Sequence, residues 1–167
     1  MSDVRTLVLV RHAKAEPHGT RPDHERELTE RGMRDAAEIG RWLKQESISP
    51  DFVWCSTSAR TRQTWAAAVE TSGAGSIVDH EQRIYEASPR NLLEVLRETP
   101  KEAHTVVLVG HAPGVPALAA GLTEGNSAVD FGDHFVTSGV AVLDVPVRWA
   151  DLVAGVASVR SIFVGRG

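Results

Sequence analysis

Thr6-Leu-Val-Leu-Val10, followed at once by Arg11-His12, is the stretch on which the fold turns. It is a continuous apolar run rich in β-branched residues. Such a run suits a strand buried on both faces, as in a parallel sheet, because a half-exposed strand would alternate apolar with polar residues. Thr105-Val-Val-Leu-Val109 repeats the pattern and ends on Gly110-His111. Phe52-Val-Trp-Cys55 is a third strand candidate and ends on Ser56. Between these runs lie helical signals. Thr29 reads as an N-cap with Glu30 in the first turn, and Met33, Ala36, Ala37, Ile39, Gly40 and Leu43 keep a helical spacing to about Gln45. A helix is expected from about Ala59 to Val69. Another begins at Ser88-Pro89, with Leu92, Leu93, Val95 and Leu96 inward, and a short one spans Pro113 to Leu122. Ile77-Val78 and Ile84-Tyr85 read as short extended pieces, and Val140–Val145 and Val156–Val164 as closing strands. Strands alternating with helices predict an α/β protein, a three-layer α/β/α sandwich around a mostly parallel central sheet. No shift in composition marks a second unit, so residues 1–167 are expected to form one domain.

Composition narrows the class. The 167 residues carry 18 Lys+Arg against 22 Asp+Glu, a net charge of −4, which argues against nucleic-acid binding driven by overall charge. A local basic site stays open. The single cysteine, Cys55, allows neither an internal disulfide nor a cysteine zinc framework, and a cytoplasmic setting is expected. The apolar run from Leu7 to Val10 is too short for a signal-peptide core, and no stretch approaches the roughly 20 apolar residues of a membrane helix. No membrane partner is therefore expected. The seven histidines lack the i, i+4 helical pairing of a zinc-protease motif, and there is no Gly-x-x-x-x-Gly-Lys loop, so neither metal nor nucleotide cofactor is expected.

Ligands of open α/β sheets gather outside the carboxyl ends of the strands. The first strand delivers Arg11 and His12 there, the second Ser56 with Arg60 and Arg62 just beyond, and the strand ending at Val109 delivers His111. Residues 11 to 28 form a long polar loop with Pro17, Gly19 and Pro22, of the kind that is often functional. Alone, a histidine after a strand is an ordinary loop residue and an arginine at a helix start a solvated charge. Two histidines and two arginines at strand ends together describe an anion site. Arginine forks match phosphate oxygens, and helix N-termini near Ala59 and Pro113 add unpaired N–H groups. A neutral imidazole beside phosphorus can attack it, and a second histidine can bind a phosphoryl oxygen. Cys55 reads as buried. Trp42, Trp54, Trp65 and Trp149 read as packing residues, and His80, His104 and His134 as ordinary loop or surface histidines.

The sequence resembles the histidine phosphatase superfamily in four ordered motifs. Leu9-Val-Arg11-His12-Ala13-Lys-Ala-Glu16 resembles the Arg-His-Gly signature, with Ala13 in place of glycine as in the small phosphohistidine phosphatase (SixA-like) branch. Asp23-His-Glu-Arg26-Glu-Leu28-Thr29-Glu-Arg-Gly32 resembles that branch's loop-to-helix segment. Ser56-Thr-Ser-Ala-Arg60-Thr-Arg-Gln-Thr64 resembles the second motif, and Val109-Gly-His111-Ala112-Pro-Gly114 the segment of the second catalytic histidine. The resemblance implies a phosphoglycerate mutase-like fold and a metal-independent phosphatase without cofactor. It implies His12 as nucleophile, Arg11, Arg60 and His111 as the catalytic clamp, and Arg26 and Glu86 as substrate-binding residues. Glu86 stands where larger relatives carry an acid. Ala112 replaces the family's usual asparagine, and Asp23 is placed to hold Arg26. The substrate implied is a phosphohistidine on a protein domain. The alternatives are a small-molecule phosphomonoester phosphatase, a phosphoglycerate mutase, for which the chain from Thr64 to His104 is too short to build a closing cap, and a non-catalytic phospho-ligand binding module.

Overall fold

In the computed structural model, which describes residues 3–167, Leu7 and Leu9 of β1 (Arg5–Arg11) face one helical layer. Val8 and Val10 face the other, and all four are fully buried. That two-sided burial is the reason the run carries no polar alternation. The remaining strands are β2 (Phe52–Ser56), β3 (Ile77–Glu81), β4 (Thr105–Gly110), β5 (Gly139–Val145) and β6 (Ser158–Val164). They form one six-stranded sheet in the order β3-β2-β4-β1-β5-β6. β1 to β4 run parallel, while β5 and β6 are antiparallel additions.

Helices α1 (Glu30–Gln45) and α2 (Ala59–Ser72) cover one face, where Ile39, Leu43, Trp65 and Ala68 pack on Val8, Val10, Val53 and Val109. Helices α3 (Pro89–Arg97), α4 (Gly114–Leu122) and α5 (Phe131–His134) cover the other, with Leu92, Leu96, Leu118 and Phe135 over Leu7, Leu9, Trp54 and Leu108. The expected three layers are present. Trp149 closes the second layer, its indole N–H donating to the Ala103 carbonyl at 2.7 Å. Among the described residues no helix is long and apolar enough to cross a membrane.

The expected caps form: Thr29 accepts from the Gly32 N–H, and Ser88 from the Asn91 N–H with Pro89 at the first position. α2 runs past Val69 to Ser72 and stops at Gly73, whose φ of 70° is left-handed. Ile84-Tyr85, expected as a short extended piece, differs. Gln82–Ile84 is a 3-10 turn, because the chain must bend after β3 to bury Ile84, and the Glu81 carboxylate accepts the Arg83 N–H there. Tyr85 alone is extended. α5 and a 3-10 turn at Asp23–Glu25 carry too short a pattern to be read in advance.

One pairing positions the site. β1 and β4 run in register so that Arg11 lies opposite Gly110, and the His12 N–H donates to the Gly110 carbonyl at 3.1 Å. From β1 the chain passes over β4 to reach β2. From β4 it passes over β1 to reach β5. The crevice between β1 and β4 is therefore the topological switch point, where such sheets bind ligands.

α1 and α2 pack closely at Gly40, where a Cβ would overlap the Ala68 carbonyl oxygen and Thr71 Oγ1. Thr71 cannot retreat freely, since its hydroxyl donates to the Ala37 carbonyl at 2.7 Å. Gly40→Ala should therefore lower stability by about 1–3 kcal/mol, the usual cost of overpacking, despite alanine's better helix propensity. Urea unfolding measures this, and a variant as stable as the parent would contradict the close contact.

Candidate active site

The His12 ring is nine-tenths buried, and its Nδ1 lies 2.7 Å from the Ala13 carbonyl oxygen. A carbonyl only accepts, so Nδ1 carries the proton and Nε2 of the neutral ring keeps its lone pair. Burial, chiefly, with Arg60, Arg11 and Arg26 nearby, lowers the His12 pKa to about 4. The Ala13 N–H donates to Thr64 Oγ1 at 3.0 Å, and that hydroxyl donates to the Arg60 carbonyl at 2.7 Å. The end of β1 is thus tied to the start of α2.

His111 follows β4. Its ring centroid is 5.4 Å from that of His12, and its Nε2 is 2.8 Å from Ser56 Oγ. Its Nδ1 is buried without a protein partner. Burial first, then His12 and Arg60, lower its pKa to about 3. Arg11 donates from Nη1 to the Phe135 carbonyl at 2.9 Å, and its buried Nε is also unpartnered. Arg60, 5% exposed, has an unpartnered Nε as well. Three buried polar nitrogens without partners around one crevice call for an anion or water there.

Asp23 is the counter-charge. Arg26 donates to its Oδ1 from Nε at 3.0 Å and from Nη2 at 2.9 Å. Arg60 donates to Oδ2 from Nη2 at 3.1 Å and to the backbone carbonyl from Nη1 at 2.7 Å. The Tyr85 hydroxyl donates to Oδ2 as well. That bond, first, and the two guanidiniums hold the Asp23 carboxyl well below the usual carboxylate range, while burial and Asp23 push Tyr85 up to about 12. The Tyr85 ring stands edge-on to His111 at 5.5 Å and to His24 at 4.8 Å. Arg26 also donates to the Glu16 carbonyl at 2.5 Å.

A cavity of about 270 Å³ opens between His12, His111 and the arginines. Its titratable lining is wholly basic: Arg11, His12, Lys14, His18, Arg26, Arg60 and His111. The structure thus brings together His12, Arg11, Arg60, His111 and Arg26. Glu86 shares a wall with Arg60 and His111 but not with His12, Arg11 or Arg26. It is exposed on the rim of an adjoining lobe, at a left-handed φ of 55°. The loop between β3 and α3 sets it apart from the basic cavity. Arg62 also lies elsewhere, exposed beside Gln63 and His80. Cys55 is buried, and burial pushes its thiol up to about 12. Among the described residues no group of three or more His, Cys, Asp or Glu side chains is arranged to hold a metal ion. Sequence reasoning missed Tyr85 and Thr64. The one available signal was that Tyr85 is the sole tyrosine of the chain.

Comparison with known proteins bears on the family and the fold. The family model described as Histidine phosphatase superfamily (branch 1) matches residues 7–92. An uncharacterized protein of Mycobacterium tuberculosis is 37% identical over 163 residues, covering 94% of this chain and all of the relative. A candidate phosphohistidine phosphatase SixA from Nakamurella multipartitia superposes with a TM-score of 0.86 at 35% identity, covering 97% of this chain and 96% of that one. A second candidate SixA, from Agrobacterium tumefaciens, gives 0.80 at 28% identity, covering 96% and 97%.

Two measurements test the electrostatics. Unfolded histidines protonate near the ordinary 6.5, whereas folded His12 and His111 do so only near 4 and 3. Between those values the unfolded state binds more protons, so stability is lost as pH falls from about 6.5 toward about 4. Thermal unfolding between pH 7 and pH 4 should show that fall, shallower in His111→Asn; a flat profile would contradict it. Asp23→Asn should cost about 1–2 kcal/mol in urea. That is less than the cost of breaking a fully buried pair, because the Asp23 side chain is 35% exposed. An unchanged midpoint would show that Asp23 does not balance the two guanidiniums.

Proposed function

Because the chain belongs to the histidine phosphatase superfamily (branch 1) and is a phosphatase, we propose that it removes the phosphoryl group from phosphohistidine in a protein, through a phosphorylated His12. The observation that carries this reading is the bond between His12 Nδ1 and the Ala13 carbonyl. It leaves Nε2 as the free nitrogen of a neutral ring inside a wholly basic cavity. The lowered His12 pKa keeps that nitrogen unprotonated at neutral pH, as a nucleophile must be.

In the first step Nε2 attacks phosphorus in line. The new N–P bond forms as the bond to the leaving group breaks, and the electron pair departs with that group. Arg11, Arg60 and Arg26, which line the cavity, hold the non-bridging oxygens. When Ser56 Oγ donates to His111 Nε2, the proton of the neutral His111 ring sits on Nδ1 and is presented to a phosphoryl oxygen. In the second step water attacks phosphorus and the N–P bond breaks. The electron pair returns to Nε2, releasing phosphate.

No carboxylic acid lines the basic cavity to protonate a leaving oxygen. An alkoxide leaves poorly without such an acid, whereas an imidazole protonated on its far nitrogen leaves as a neutral ring. This chemistry supports phosphohistidine over a sugar or serine phosphate, as does the likeness to proteins described as phosphohistidine phosphatases. Glu86, exposed on the neighbouring rim, faces the leaving group in this reading as an acceptor for the ring's far N–H, not as a proton donor to a leaving oxygen.

The test is hydrolysis of a histidine-phosphorylated protein and of p-nitrophenyl phosphate in EDTA. His12→Ala should lose at least about a thousandfold in rate, and Arg60→Ala about 100- to 1000-fold. Retained activity in His12→Ala would overturn the mechanism. Faster turnover of phosphoesters than of phosphohistidine would leave the mechanism standing and reassign the substrate.

A further inference from the structure

The basic cavity opens into a second lobe of about 450 Å³. The two share His18, Arg60, His111 and Ala112, but their remaining walls differ in sign. The first adds the cations Arg11, Lys14 and Arg26 and no carboxylate. The second adds Asp23, Glu86 and Ser88. Its far wall is built firmly. Gly114, at the start of α4, lets that helix press on the Ala87 carbonyl, where any Cβ would overlap, and the segment is pinned from below by buried Ile84. Two nitrogens unpartnered within the protein, Arg60 Nε and His111 Nδ1, belong to side chains more than nine-tenths buried at the junction of the lobes. A phosphoryl group held beside His12 by Arg60 and His111, which line both lobes, leaves the second and larger lobe for the rest of the ligand.

The charges facing the second lobe are Asp23, Glu86, Arg60, His18 and His111. Asp23 and Arg60 pair with each other, and His18 stands 3.6 Å from Asp23 Oδ1. Glu86 has no ion-pair partner among the described residues. It is thus the one carboxylate of the lobe left to meet a ligand.

We infer that this lobe is the leaving-group subsite and that Glu86 selects leaving groups bearing a cation or an N–H donor over anionic ones. This rests on the reading that the phosphoryl group binds between His12 and His111. For phosphohistidine the consequence is direct. A carboxylate facing the ring's far nitrogen favours its protonated form. When His12 Nε2 takes the phosphoryl group, the P–N electron pair stays on the departing ring and the far proton remains where it was. The ring leaves as neutral imidazole with no proton transferred. Phosphate esters carrying a carboxylate, such as a phosphorylated hydroxy acid, would be repelled by the same group.

The experiment uses the full chain in a His12→Ala background, where nothing turns over. Calorimetry gives affinities for inorganic phosphate, phosphoethanolamine and phosphoglycolate, with Glu86 intact and as Glu86→Gln or Glu86→Lys. Glu86 is exposed, so both replacements should fold. Phosphate should bind nearly equally to all three. The ratio of phosphoethanolamine to phosphoglycolate affinity should fall about 3- to 10-fold in Glu86→Gln, as expected for one exposed charge acting by attraction on one ligand and repulsion on the other. It should fall further in Glu86→Lys, and the differences should shrink as salt brings the Debye length to about 3 Å. An unchanged ratio with normal phosphate binding would overturn this inference and leave the proposed phosphatase site intact. Loss of phosphate binding in all three proteins would overturn the phosphoryl site itself, and this inference with it.

Discussion

The parallel pairing of β1 with β4 is the constraint on which the rest of the site depends. Arg11 lies opposite Gly110, so the next residue of each strand is a histidine, and the two rings come within 5.4 Å. Shifting the register by one residue would turn every side chain of a strand to the opposite layer. It would expose Leu7 and Leu9 to the wrong packing partners and separate the histidines. The apolar core and the active site are therefore held by the same set of backbone bonds.

Placing so many cations at one strand end creates an electrostatic problem. Arg11, Arg26, Arg60 and Lys14 line one cavity with His18 and the facing pair His12 and His111, in a chain whose net charge is −4. Asp23 answers it by engaging two of the guanidiniums, and Tyr85 completes the carboxylate's hydrogen bonding while standing against His111. The residual positive field keeps both histidines neutral. It reinforces burial, which is the larger cause in each case. A neutral histidine next to a phosphate-binding clamp suits a nucleophile, since protonation would remove the lone pair that the reaction needs.

The difference between the two lobes bears on which phosphoryl compounds the phosphatase accepts. The basic lobe recognises what all such compounds share. Discrimination falls to the second lobe, where Glu86 sits on a rigid wall set by the contact of Gly114 with Ala87. Changes of substrate preference can then arise at the rim without disturbing His12 or its supports.

Much of this was legible in the order of residues. Two-sided burial writes itself as uninterrupted apolar runs, and caps such as Thr29 and Ser88 act within a single turn, so the strands, the main helices and the layer architecture follow from local patterns. Arg11 stands out because it ends a strand, His12 and His111 because they directly follow strands, and Arg60 because it opens the helix after one. What the sequence left open involves partners far apart along the chain. Tyr85 reaches Asp23 across 62 residues, and nothing in the residues around either one announces it. Thr64 supports Ala13 across 51. Glu86 read as a substrate-binding residue, and only the folded loop shows that it lines the lobe beside the basic cavity, together with Arg60 and His111. By itself the sequence determined the sheet, its helical layers and the chemical types at the strand ends, because hydrophobic periodicity and capping are local. Only the tertiary structure decided which cations share a carboxylate, which ring nitrogens lack partners and which lobe Glu86 faces. Those depend on distances closed by the packing of the whole chain.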